Sequence, residues 1–77
     1  MSTSMTDEEK LRVLLFHWIA HNREHADQFR RRASAAGAAA GDIEAAADAL
    51  GLANSHLEAA LKTLGGALER PQDSGSH

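Results

Sequence analysis

Two long apolar stripes, built from steps of four and three residues, constrain this chain more than any other feature. The first is Leu11, Leu15, Trp18, Asn22, His25, Phe29 and Ala33, broadened by Leu14. The second is Ile43, Ala47, Leu50, Asn54, Leu57, Leu61, Leu64 and Leu68. Side chains at that spacing share one face of an α-helix, whereas a strand would need every second residue. No Gly or Pro occurs from Asp7 to Ala36, and Gly37 and Gly41 bracket the short run Ala38 to Ala40. The pattern predicts one helix over 7–36 and a second over 42–69.

The ends carry matching signals. Thr6 and Glu9 have capping-box spacing, which satisfies two free backbone N–H groups at a helix start. Asp7, Glu8 and Glu9 suit the positive end of the helix dipole. Gly37 suits the left-handed conformation that stops a helix, and Asp42 is a fair N-cap for the next. The alanine run between them could extend either helix. Gly51 lies off the second stripe and weakens that helix by about 1 kcal/mol relative to Ala. Gly65 and Gly66 loosen its end and Pro71 prevents continuation. A disordered lead over 1–5 and a disordered tail over 71–77 complete the expected organisation.

A short connection returns the second helix antiparallel to the first. Folding near Ala39 and Ala40 sets Leu11 near Leu68, Leu15 near Leu64 and Trp18 near Leu61. It also sets His25 near Asn54 and Phe29 near Leu50. The expected fold is therefore all-α, a two-helix antiparallel hairpin. Of the 77 residues 43% are apolar, but Ala supplies much of that share. Chains this short usually need a disulfide, a metal or a partner to finish a core. Cys is absent, which excludes disulfides and thiolate metal sites. A homodimer closing into a four-helix bundle is the simplest remedy.

A net charge of −3 gives no general attraction to nucleic acid or anionic membrane. The cluster Arg30, Arg31 and Arg32 is short, points three ways around a helix and lacks aromatic company. It fits the negative end of the first helix instead, with Asp27 four residues before Arg31 and Asp48 close by on the second helix. No apolar run approaches the ~20 residues of a membrane span. Met1 to Thr6 lacks the positive charge of a secretory leader, so the expected location is the cytoplasm.

His17, His21 and His25 stand at four-residue steps in the first helix. Residues four apart are neighbours on one face, with Cβ atoms ~6 Å apart, so two imidazoles can grip one ion. Each step also turns about 40° around the axis, so the three rings have difficulty reaching one ion together. On the first stripe His25 lies on the seam, His21 on its edge and His17 further out. Asn22 and Asn54 join His25 in a polar layer at mid-length, with Glu24 adjacent. Two readings follow. In one, His21 and His25, with His17 next, hold a transition metal such as Ni, Co or Zn, and Glu24 or His17 completes or orients the shell. In the other, the layer only fixes packing and register in a non-catalytic homodimeric interaction module.

The remaining constellations point to no enzyme. Glu-x-x-His motifs of diiron bundles and the His-Glu-x-x-His protease motif are both absent. No Ser-His-acid arrangement or Gly-rich phosphate loop is present. His56 falls off the second stripe and reads as a surface residue, and His77 lies in the tail.

The run from Leu11 to Phe29 contains His17-Trp18-Ile19, His21-Asn22, Glu24-His25-Ala26 and Phe29. It resembles a small, uncharacterised bacterial and archaeal family of helical hairpins with a His-Trp…His-Asn…Glu-His-Ala…Phe string. Ala53-Asn54, Leu57, Ala60-Leu61 and Leu64 fit that family's second helix, so the resemblance covers about 11–68. The family's second aromatic after Phe29 has no counterpart at Arg31 to Ala33. The resemblance implies transition-metal handling, with cobalt or nickel as cargo and His17, His21 and His25 as the candidate ligands.

Overall fold

A computed structural model describes residues 5–68. It contains two helices, α1 (Asp7–Ala33) and α2 (Ala40–Leu64), joined through a single 3-10 turn at Gly37–Ala39. They pack side by side as an antiparallel hairpin, with no strand among the described residues. Residues 1–4 of the expected lead over 1–5, and the tail with Pro71 and His77, lie outside the described residues.

α1 starts where its capping box requires. The Glu9 backbone N–H donates to the Thr6 hydroxyl at 3.1 Å, and the Thr6 N–H donates to the Glu9 carboxylate at 2.9 Å. The helix ends at Ala33, three residues before the expected Ala36. Gly37 takes φ +58° and begins the 3-10 turn that leads directly into α2 at Ala40. Asp42 accordingly sits inside the first turn of α2 rather than capping it. At the far end Gly65 and Gly66 take φ +118° and +97°, and the Gly66 N–H donates back to the Leu61 carbonyl at 2.8 Å. This left-handed stop ends α2 at Leu64, short of the expected residue 69.

The seam of α1 is turned by about one residue from the expected stripe. Leu15, Ile19, Ala26 and Ala33 are buried, with Asn22 and Phe29 half-buried between them. Arg12, Ile19 and Ala26 thus occupy the places expected for Leu11, Trp18 and His25. The cause is close approach. Ile19 and Ala26 are each 6% exposed, and these smaller side chains fit between the backbones where Trp18 and His25 would hold them apart. The register along the helices nevertheless falls close to the expected one, since Asn22 meets Asn54 and Arg30 meets Asp48. Leu15, Ile19 and Leu61 form the core cluster, with Leu57 and Leu64 packed against it.

Candidate functional site

The middle of the hairpin is held by two asparagines. Asn22 Nδ2 donates to Asn54 Oδ1 at 2.9 Å, and Asn54 Nδ2 donates to the Ile19 carbonyl at 3.1 Å. Asn54 is buried and Asn22 half-buried. Both amides face the seam because each stands where a heptad position comes round to the partner helix. The remaining capacity of Asn22 opens toward a cleft of about 200 Å3, walled by Arg23, Asp27, Arg30 and Gly51. That volume falls below the ~300 Å3 lower bound of typical small-molecule sites.

One face of the hairpin is polar along its whole length. Arg23 pairs with Glu58 at 2.7 Å and Arg30 with Asp48 at 3.0 Å. Arg12 donates through Nε to the Gly66 carbonyl at 2.7 Å and through a terminal nitrogen to the Gly65 carbonyl at 3.2 Å. A guanidinium from α1 thereby satisfies carbonyls at the negative end of α2. Sequence reading missed Arg12 and Arg23. Their charge signs alone suggest pairing, but the partners are 35 to 54 residues away and depend on which way α1 is rolled.

The opposite face is apolar. Leu11, Leu14 and Trp18 remain 41%, 43% and 43% exposed on α1. Ala46, Ala53 and Ala60 are exposed on α2 at steps of seven, with Leu57 and Leu64 half-buried beside them. Trp18 and Leu14, expected in the core, therefore flank it. No large side chain is fully buried among the described residues, because two helices leave each other's outer sides uncovered.

The histidines lie outside the asparagine layer. His17, His21 and His25 are all exposed. His25, expected opposite Asn54 on the seam, is displaced by Ala26 and instead lies with its ring centroid 6.3 Å from that of Phe29. The His17 ring meets the edge of Phe16 at 5.8 Å. Glu24 is exposed and takes no part in the asparagine hydrogen bonds. Among the described residues no three His, Asp or Glu side chains come together in a way that would hold a metal ion. No helix among them is long and apolar enough to cross a membrane.

The profile of a protein family described as "Domain of unknown function (DUF8180)" matches residues 11–64, nearly the whole hairpin. No curated protein and no solved structure matches the chain.

Proposed function

This chain belongs to the DUF8180 family, and we propose that it is a non-catalytic helical module that completes its core by pairing with a second copy. The observation that carries this reading is the uncovered stripe of Leu11, Leu14 and Trp18, which borders the core cluster of Leu15, Ile19 and Leu61. Large apolar side chains gathered on one face, with arginine ion pairs confined to the other, mark a contact surface. Removing such side chains from water supplies about 25 cal/mol per Å2, the main drive for association.

Sedimentation of the intact chain tests the proposal. Wild type is expected to sediment at twice the mass of one chain, and Leu14→Glu with Trp18→Glu at the mass of one. Phe16→Glu, at an exposed position away from that stripe, should remain paired and guards against a general loss of folding. A wild type that stays single from micromolar to millimolar concentration overturns the reading.

A second reading rests on a separate observation. His21 and His25 stand exposed on consecutive turns of α1, and neither ring makes a hydrogen bond among the described residues. Imidazoles so placed suit two positions around Zn, Ni or Co. On this reading His21 and His25 hold a transition metal as cargo, and His17 or Glu24 completes or orients the shell. Calorimetric titration with Ni(II), Co(II) and Zn(II), repeated on His25→Ala, tests it. Absence of binding by wild type removes the reading, and unchanged binding by the variant removes His25.

A further inference from the structure

We infer that this chain has a second packing, in which α1 and α2 run on as one unbroken helix and pair antiparallel with a second copy, and that Gly37 selects the hairpin over it. The inference stands apart from self-pairing through Leu11, Leu14 and Trp18, since both packings use the same inward seam. The inward positions of the two helices belong to one repeat. Ala26, Ala33, Ala40, Ala47 and Asn54 recur at steps of seven, and all are buried except the half-buried Ala40. Ala36 and Ile43, also half-buried, supply the intervening positions. The seven-residue phase therefore crosses the turn without a break, although two helices joined by a loop need share no phase. A seam kept in phase over its whole length is what one long helix needs to pair with another.

The turn itself departs from a helix at one residue. Ser34, Ala36, Ala39 and Ala40 keep backbone angles of the right-handed helical region. Between α1 and α2 Gly37 alone takes a positive φ, at +58°. An added Cβ there meets nothing within 4 Å, so an alanine would be opposed by the backbone angle and not by lack of space. The symmetry of the contacts also fits. Asn22–Asn54, Arg30–Asp48 and the bond from Arg12 to Gly66 are all centred on Ala38 or Ala39. A two-fold axis at that point remakes each of these contacts between two antiparallel rods, and sets Ala36 against the second copy's Ala40. Exchange of identical elements in this way is a low-cost route to a pair, because only the turn changes. The hairpin is unimolecular and the rod pair bimolecular, so rising concentration lengthens the molecule.

The test uses Leu14→Glu with Trp18→Glu as its background, which removes pairing through the apolar face, so the two readings fail separately. In that background Gly37→Ala is expected to favour the rod by roughly tenfold to a hundredfold per chain, since alanine prefers the right-handed helix and resists a positive φ. Sedimentation should move from one chain mass to two. Lys10→Cys with Thr63→Cys, both at exposed positions of a chain without natural Cys, carry a donor and an acceptor dye. A trace of doubly labelled chain in an excess of unlabelled chain should transfer energy efficiently as a hairpin. It should transfer hardly any as a rod, where the dyes stand about 80 Å apart at 1.5 Å per residue. Gly37→Asn, which tolerates a positive φ, and Gly41→Ala, which lies within α2 with open space around it, should keep the hairpin. A Gly37→Ala chain that stays single with efficient transfer, or that loses helix content without lengthening, overturns the second packing. The same lengthening in Gly41→Ala overturns the assignment to Gly37.

Discussion

At the scale of single residues, Asn54 does the most to define the hairpin. Its amide bridges the helices twice, once to Asn22 and once to the backbone of Ile19. A buried amide that lost these partners would cost about 1–3 kcal/mol, while each satisfied bond adds only about 1 kcal/mol net. Asn54→Ala removes both bonds and leaves a small cavity, so a loss of about 1–3 kcal/mol is expected in chemical denaturation. Asn22→Ala should cost less, because Asn22 is only half-buried and water can take its place. The double variant should fall short of the sum, since the two amides share one bond. Additive losses would show that the layer does not act as a unit. The sequence made Asn22 and Asn54 legible as polar interruptions of apolar stripes. It misplaced His25 because stripes through residues 18 and 25, or through 19 and 26, share Leu15, Asn22, Phe29 and Ala33. What separates the two choices is which pair fits between the helices: Ile19 and Ala26 are each 6% exposed, whereas Trp18 is left 43% exposed.

At the scale of elements, glycine has opposite meanings at two points of α2. Gly51 sits in ordinary helical backbone, and a Cβ added there meets nothing within 4 Å. Gly51→Ala should therefore stabilise the helix by about 1 kcal/mol. Gly65 stops the helix at φ +118°, where an L side chain is strained, and an added Cβ would come 3.4 Å from the Arg12 guanidinium. Gly65→Ala should destabilise by about 1–3 kcal/mol and loosen the Arg12 clamp. Thermal unfolding of both variants checks the contrast in sign. A destabilised Gly51→Ala would mean that something approaches the cleft beside Asn22 closely enough to need the missing side chain. The helix starts were uneven in legibility for a related reason. Thr6 and Glu9 announce α1 through a local pattern of four residues, whereas α2 begins without a side-chain cap, in an alanine run that carries no punctuation.

At the scale of the whole molecule, the hairpin is an amphipathic layer and not a closed core. Its polar face engages three arginines in contacts within the chain, and its other face leaves Leu11, Leu14 and Trp18 exposed. If a second copy covers that face, folding and association are one equilibrium, and stability depends on concentration. Each tenfold rise in chain concentration then adds about 1.4 kcal/mol per pair. For a pair of this combined size, 1 kcal/mol moves the unfolding midpoint by about 2–4 °C, so the midpoint should climb roughly 3–6 °C per decade. The Leu14→Glu and Trp18→Glu double variant should unfold lower and at a midpoint independent of concentration. Salt separates this drive from the ion pairs opposite, because screening weakens exposed charges and leaves apolar burial intact. The concentration dependence of wild type should therefore persist at high ionic strength. Calorimetric scans over three decades of concentration, at low and high salt, measure both effects. A flat midpoint for wild type would mean that the hairpin stands alone with Leu11, Leu14 and Trp18 in water.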